Sequence, residues 1–120
     1  MVVDCTSSLK NPISKVAVKD ADEVIRLATP ELKSMSWYNS QLSVYSDPEF
    51  RLDRQIQGVN ATTNDVYLPI DEASSHLHFI SFKLPYSWKL KQQMLDGKLT
   101  QPMQDKNYNE KLKAIVEKVI

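Results

Sequence analysis

The chain has 120 residues, of which 42% are hydrophobic and 25% are charged, the balance of an ordinary soluble domain. Fifteen basic and fifteen acidic residues cancel to a formal net charge of zero, so the large positive excess of most nucleic-acid binders is absent. The single cysteine, Cys5, excludes an internal disulfide, and no apolar run approaches the roughly 20 residues of a membrane span. Residues 1–5 lack the basic and apolar segments of an export signal. We therefore expect one cytoplasmic domain over residues 1–120, with residues 1–12 forming either a tail or an edge strand.

The N-terminal quarter predicts a strand followed by a helix. Residues 13–18 favour a short strand with Val16 and Val18 on one face. Asp20 and Glu23 then have the spacing of a capping box, which predicts that a helix starts near Asp20. Its apolar stripe would be formed by Val24, Leu27 and Ala28, ahead of a break at Pro30.

The middle of the chain alternates between apolar and polar residues, as half-buried strands do. This alternation predicts an antiparallel meander of about four strands within residues 41–84, joined by short turns. Residues 32–45 fit either a helix or a hairpin at this stage. The predicted strands contain Leu42 and Val44, then Phe50, Leu52 and Ile56, then Val66, Leu68 and Ile70, and finally residues 76–84.

The last third of the chain is predicted to be helical. Ser87 can cap a helix whose apolar arc contains Trp88, Leu90, Met94 and Leu95, and which ends before Gly97. Asn107 and Glu110 are spaced as a second capping box. The next apolar residues repeat at i, i+3, i+4 and i+7, which predicts a second helix packed, like the first, on the sheet. The expected fold class is therefore α+β. This second stripe consists of Leu112, Ile115, Val116 and Val119.

One polar cluster has residue types that occur in catalytic or metal sites. His76 and His78 would point to the same side of a strand, and Asp71 is close enough in sequence to add a carboxylate ligand. A third ligand at a recognised spacing is missing, so these residues are weak candidates for a metal site, and a metal-dependent enzyme using His76 and His78 is the second alternative function. Neither glycine belongs to a phosphate-binding loop, and Cys5 lacks the surroundings of a nucleophile. We expect no catalytic residues and no cofactor, and the protein is not predicted to be an enzyme.

A nucleic-acid interface is the alternative prediction. Residues 1–82 carry a net charge of −4 and residues 83–120 carry +4, so the cations are concentrated at one end. Aromatic residues on the predicted strands could stack on unpaired bases, with lysines contacting the phosphates. The residues predicted for this role are Trp37, Tyr67, Lys89 and Lys91.

The absence of a catalytic pattern favours a small binding protein that acts through a protein–protein surface. Apolar residues near the C-terminus predict either homodimerisation or docking to a larger protein. Motif-free, glycine-poor chains of this size are typical of viral or mobile-element accessory proteins. The predicted surface consists of Trp88, Leu99, Met103, Val119 and Ile120.

Overall fold

A computed structural model describes residues 1–5, 8–61, 69–78 and 80–119 of the chain. In these ranges the backbone forms six α-helices and one sheet of three parallel strands in the order β1–β2–β3. The strands are β1 (Val24–Ala28), β2 (Gln55–Asn60) and β3 (Phe82–Leu84). The helices are α1 (Pro12–Asp20), α2 (Leu32–Ser40), α3 (Leu42–Tyr45), α4 (Ile70–Ser75), α5 (Trp88–Leu95) and α6 (Lys106–Val119).

The predicted antiparallel meander is wrong. Neighbouring strands run in the same direction, so each connection must carry the chain back along the sheet before the next strand begins. The α2 and α3 helices do this between β1 and β2, and α4 does it between β2 and β3. Residues 42–45, predicted to be a strand, form α3. Among the described residues of the strand predicted at 76–84, only Phe82–Leu84 form a strand, and His76 terminates α4, while residue 79 lies outside the described ranges.

At the N-terminus, the residues predicted to form a strand are helical, and those predicted to form a helix are a strand. Asn11 caps α1, because its side-chain oxygen accepts hydrogen bonds from the backbone N–H groups of Ile13 (3.0 Å) and Ser14 (3.2 Å). Pro12 occupies the first turn, where its missing N–H costs nothing. Asn11-Pro12 is thus a helix-start signal and not the end of a tail or edge strand over residues 1–12. Val24, Leu27 and Ala28, predicted to form a helical stripe, lie instead in β1.

Residues 32–45, which fitted either a helix or a hairpin, are helical. Met35 and Tyr38 lie one turn apart on the buried side of α2. The next predicted strand starts later than expected, because two 3-10 turns, Pro48–Phe50 and Leu52–Arg54, precede β2. Part of the third predicted strand, residues 66 and 68, lies outside the described residues, and Ile70 begins α4.

The sheet has two different faces. Strand register places Arg26 beside Gln57 and Ala28 beside Val59 on one face, here called the core face. This face is covered by α2 and α4, and Val59 is completely buried. The main hydrophobic cluster therefore lies between the sheet and these two crossover helices. Its buried members are Ala28, Met35, Tyr38, Val59, Ala73 and Leu77.

The opposite face, here called the α6 face, is only partly covered. Leu84 on β3 is buried against Tyr108 and Ile115 of α6, whereas Ile25 and Leu27 on β1 are exposed. The predicted C-terminal helices are confirmed, although the cap of α6 is Asp105 and not Asn107. Asp105 accepts a hydrogen bond from the backbone N–H of Tyr108 at 3.1 Å.

Gly58 allows close packing on the α6 face. It pairs with Phe82 in the strand register, and the Phe82 ring lies directly over it. A Cβ atom at this position would overlap the ring. The absence of a side chain at Gly58 therefore lets the Phe82 ring extend across β2, next to the strand that carries Ile25 and Leu27.

Candidate binding surfaces

The α5 helix presents apolar side chains to solvent. Helical periodicity places Trp88, Gln92 and Leu95 on one side at i, i+4 and i+7, with Lys91 beside them. Trp88 is 64% exposed and Leu95 is 73% exposed. These four residues form an outward surface, here called the α5 ridge. The sequence predicted Trp88, Met94 and Leu95 in an apolar arc packed on the sheet, and this prediction is wrong, since Met94 is also 56% exposed.

The buried side of α5 contains a polar anchor. Gln93 is buried, and its amide nitrogen donates a hydrogen bond to the carbonyl of Pro102 at 3.3 Å. Its amide oxygen accepts from the backbone N–H of Gln104 at 3.4 Å. Leu90 adds an apolar contact with the cluster of Leu84, Tyr108 and Ile115. The orientation of α5 is thus fixed by one glutamine and one leucine, which leaves its larger apolar side chains outside.

A second contact fixes the start of α5. The Ser87 hydroxyl accepts a hydrogen bond from the backbone N–H of Leu90 at 3.1 Å, and it donates to Oδ2 of Asp105 at 2.7 Å. Asp105 caps α6, so the N-termini of α5 and α6 meet at this pair. The hydroxyl hydrogen bond, followed by the backbone N–H of Tyr108, lowers the pKa of the Asp105 carboxyl. A carboxylate here also compensates the positive ends of two helix dipoles.

The surroundings of the α5 ridge contain three lysines and one carboxylate, that of Asp96, which accepts a hydrogen bond from Gln92 of the ridge at 3.0 Å. Lys89 and Lys91 are exposed on α5 itself, and Lys98 is exposed just after Gly97. The left-handed backbone of Gly97, with φ of +67°, ends the helix and redirects the chain. Leu99, which follows this turn, is 60% exposed. The segment after α5 therefore adds another apolar side chain and another cation to the surface.

The residues predicted to form a protein-binding surface differ in how exposed they are. Trp88 and Leu99 are exposed, whereas Met103 is half-buried against the cluster beneath α5 and α6. Val119 is also half-buried, at the end of α6. Ile120 lies outside the described residues. Met103 therefore packs beneath the exposed surface and contributes little to the surface itself.

The residues predicted for nucleic-acid binding lie on separate helices. Trp37 is on α2, and Lys89 and Lys91 are on α5, while Tyr67 lies outside the described residues. The predicted stacking platform required aromatic rings on strands. Of the rings assigned to strands that the structure describes, only Phe82 is on one, and the others lie in α2, α3 and a 3-10 turn. These other rings belong to Trp37, Tyr38, Tyr45 and Phe50.

The weak metal candidates are near the surface around α4. Asp71 forms an ion pair with Lys83, with 2.8 Å between carboxylate oxygen and ammonium nitrogen, and this contact lowers its pKa. His76 is at the end of α4, and its backbone carbonyl accepts from the Asn39 amide at 3.0 Å. His78 is exposed and follows in a turn. Across residues 1–5, 8–61, 69–78 and 80–119, no three His, Cys, Asp or Glu side chains are grouped to hold a metal ion.

A buried arginine is the most unusual feature of the core, and no sequence motif indicates it. The guanidinium carbon of Arg26 lies 3.8 Å from the ring centroid of Tyr45 and 4.4 Å from that of Tyr38. The guanidinium also donates to the Gln57 side-chain oxygen at 3.3 Å and to the Tyr38 carbonyl at 3.4 Å. Burial lowers the pKa of Arg26 and raises the pKa of both tyrosines. The nearby Arg26 cation acts in the opposite direction on the tyrosines and lowers their pKa by a smaller amount.

The sequence also did not indicate the exposed apolar side chains of β1. Ile25 is 47% exposed and Leu27 is 54% exposed, although both lie in a strand of the only sheet among the described residues. The alternation of these two with Arg26 and Ala28 is the signal that could have revealed a strand here. It was missed because Val24, Leu27 and Ala28 also fit a helical stripe.

No helix within the described ranges is both long and apolar enough to cross a membrane. Family models, curated protein sequences and solved structures were compared with the chain, and none of them matches it.

Proposed function

We propose that this protein is a non-catalytic binding module that docks on a protein partner through the α5 ridge. The observation that carries the proposal is the reversed polarity of α5, which buries Gln93 and exposes Trp88 and Leu95. An ordinary surface helix points its apolar side chains at the core. Exposed tryptophan and leucine on one outward surface are a common feature of binding sites, where tryptophan contributes more than most residues.

The charge around the ridge favours an acidic partner surface. Lys89, Lys91 and Lys98 are all exposed, and residues 83–120 carry a net charge of +4. Lysines at the rim of an interface raise the association rate with an oppositely charged surface, while the apolar centre supplies most of the affinity. We expect an apolar groove or helix face bordered by Asp and Glu as the partner's binding site.

The test is a quantitative binding measurement with a partner captured by the wild-type protein and then purified. Trp88→Ala and Leu95→Ala should each weaken binding by about tenfold or more, because central apolar anchors contribute at least that much. Trp37→Ala is the matched control, since Trp37 is also an exposed tryptophan but lies on α2. Unchanged affinity of the Trp88 and Leu95 variants, or equal loss in the Trp37 variant, would contradict the proposal.

A spectroscopic readout can accompany the titration. In a Trp37→Phe background, Trp88 is the only tryptophan of the chain. Docking of the ridge should remove its ring from water and shift its fluorescence to shorter wavelength. Fluorescence that does not change on binding would mean that the partner contacts another surface.

Single-stranded nucleic acid is the second candidate partner, because the exposed Trp88 ring is flanked by Lys89 and Lys91 on the same helix. Stacking on an aromatic ring beside cations is a common way to bind unpaired bases. Affinity for a labelled oligonucleotide should then fall steeply with salt and weaken in Lys89→Glu and Lys91→Glu variants. Absence of binding at about 50 mM salt would exclude this alternative.

A further inference from the structure

The β1 strand has an open edge. It lies at one side of the sheet, and its inner side pairs with β2 over all five residues. Beyond this ladder, no backbone hydrogen bond joins Val24–Ala28 to any residue in the described ranges. The outward edge of β1 thus has no backbone partner in those ranges, and the strand reaches solvent at Ile25 and Leu27, whereas Arg26 and Ala28 are buried.

The side chains of β1 do not protect this edge. Natural proteins usually block an edge strand with an outward charge, a proline or a bulge. The only charged residue of β1 is Arg26, and it is buried on the core face between the rings of Tyr38 and Tyr45. Ile25 and Leu27 project from the other face and are about half exposed. Apolar surface continues beside them, because Ile56 pairs with Ile25 in the register.

We propose that β1 pairs with β1 of a second copy of this chain, antiparallel and around a two-fold axis. Such pairing extends the three-stranded sheet to six strands and satisfies the free backbone groups of both copies. Near the axis, Ile25 of each copy lies opposite Leu27 of the other on the α6 face. The strand is thus complementary to itself. Pairing with a second copy would by itself explain why Ile25 and Leu27 are exposed in one copy.

Charge selects the antiparallel arrangement. Asp20, Asp22 and Glu23 are exposed immediately before β1, so a parallel pair would place two acidic segments side by side. Antiparallel pairing moves them to opposite ends of the interface. Each then lies near the other end of β1 in the second copy, where the charges of Glu31 and Lys33 cancel. Repulsion between the acidic segments is therefore smallest in the two-fold arrangement. The two Arg26 residues are opposite each other at the axis, but each guanidinium stays on the core face at the rings of Tyr38 and Tyr45 of its own copy.

The interface should be weak and reversible. Strands of five residues bury less than the roughly 800 Å² per partner of a standard interface. We expect sedimentation at concentrations of about 5 to 500 µM to show monomer and dimer in exchange. A chain that remains monomeric at the highest concentration would overturn the proposal.

The variant Ile25→Lys/Leu27→Lys places charges on the edge and should remain monomeric throughout this range. A matched control, Ile13→Lys/Val16→Lys, changes two exposed apolar residues on α1 and should dimerise like the wild type. Trp88→Ala/Leu95→Ala should also dimerise, so loss of partner binding through the ridge and loss of the β1 pair are distinguishable. Dimerisation that persists in the Ile25/Leu27 variant, or that is lost equally in the α1 control, would refute pairing through β1.

A cross-linking experiment covers the case in which the lysine variant does not fold. Ile25→Cys and Leu27→Cys are made separately with Cys5→Ser, which removes the natural thiol. Opposed residues in an antiparallel pair have Cβ atoms about 5 Å apart, which is close enough for a disulfide to form with little movement. Oxidation of a mixture of the two proteins should give a covalent dimer. Failure to form any covalent dimer, at a concentration that supports the wild-type dimer, would exclude this arrangement.

Discussion

The guanidinium of Arg26 lies over the ring of Tyr45, with 3.8 Å between the guanidinium carbon and the ring centroid. Tyr38 contacts the same guanidinium at 4.4 Å, so the cation is held by two aromatic rings. No carboxylate is paired with it among the residues that the structure describes. Aromatic faces and two neutral oxygen acceptors therefore replace the usual counter-ion. This arrangement connects β1 to α2 and α3 through one side chain.

Replacement of Arg26 should reveal how much this arrangement stabilises the fold. We expect Arg26→Ala to lower the free energy of unfolding by about 2 to 3 kcal/mol, because both packing and cation–π contacts are lost. Arg26→Lys should cost about 1 kcal/mol, since it keeps the charge but loses the planar contact with the rings. Urea denaturation followed by circular dichroism measures both. Arg51→Lys, at an exposed arginine, is the control and should have little effect; equal stability of all variants would contradict this explanation.

Gly58 and Phe82 should be energetically coupled. Gly58→Ala introduces a Cβ atom where the Phe82 ring lies, and we expect a loss of about 2 kcal/mol from overpacking. Phe82→Leu removes the flat ring, so the double variant should be less unstable than the sum of the single losses. A double-mutant cycle from urea denaturation measures this difference. Simple additivity would show that the ring is not what excludes a side chain at Gly58.

Acid stability should depend on the contact between Ser87 and Asp105. The hydroxyl hydrogen bond lowers the folded-state pKa of Asp105 below the unfolded value of about 3.9. The carboxylate therefore stabilises the fold above that pH, and this contribution disappears as the pH falls through the folded-state pKa. Asp105→Asn and Ser87→Ala should both make the free energy of unfolding depend less steeply on pH below about 4. Urea midpoints measured from neutral to acidic pH test this, and curves parallel to wild type would contradict it.

Two positions with positive φ should respond in opposite directions. Arg51 has φ of +53°, a conformation that glycine adopts without steric cost, so Arg51→Gly should raise stability by up to about 1 kcal/mol. Gly97 has φ of +67° and no heavy atom within 4 Å of a Cβ atom built there, so Gly97→Ala should cost about 1 kcal/mol through backbone strain alone. Thermal unfolding measures both. The same sign for both substitutions would refute the explanation from φ.

Local signals in the sequence were sufficient for the C-terminal helices. Ser87 caps α5 as its position predicted. In the apolar repeat of α6, Ile115 is buried and Leu112 and Val119 are half-buried, whereas Val116 is 51% exposed. Such features depend on residues within one or two turns of each other, so no knowledge of the rest of the chain is needed. The start of α1 was available in the same way, because Asn11 and Pro12 together form a helix-start signal.

The direction of the strands and the outward position of the α5 ridge were decided by tertiary structure. Alternation of apolar residues is identical in parallel and antiparallel strands, so residues 24–28 and 55–60 contained no information about their relative direction. The apolar arc of α5 was predicted to pack on the sheet, but Gln93 and Leu90 fix the helix with Trp88 outside. The sequence by itself determined where several helices begin and how the charge is distributed. Contacts between residues distant in the chain decided which apolar side chains remain exposed, because burial depends on the whole set of packed elements.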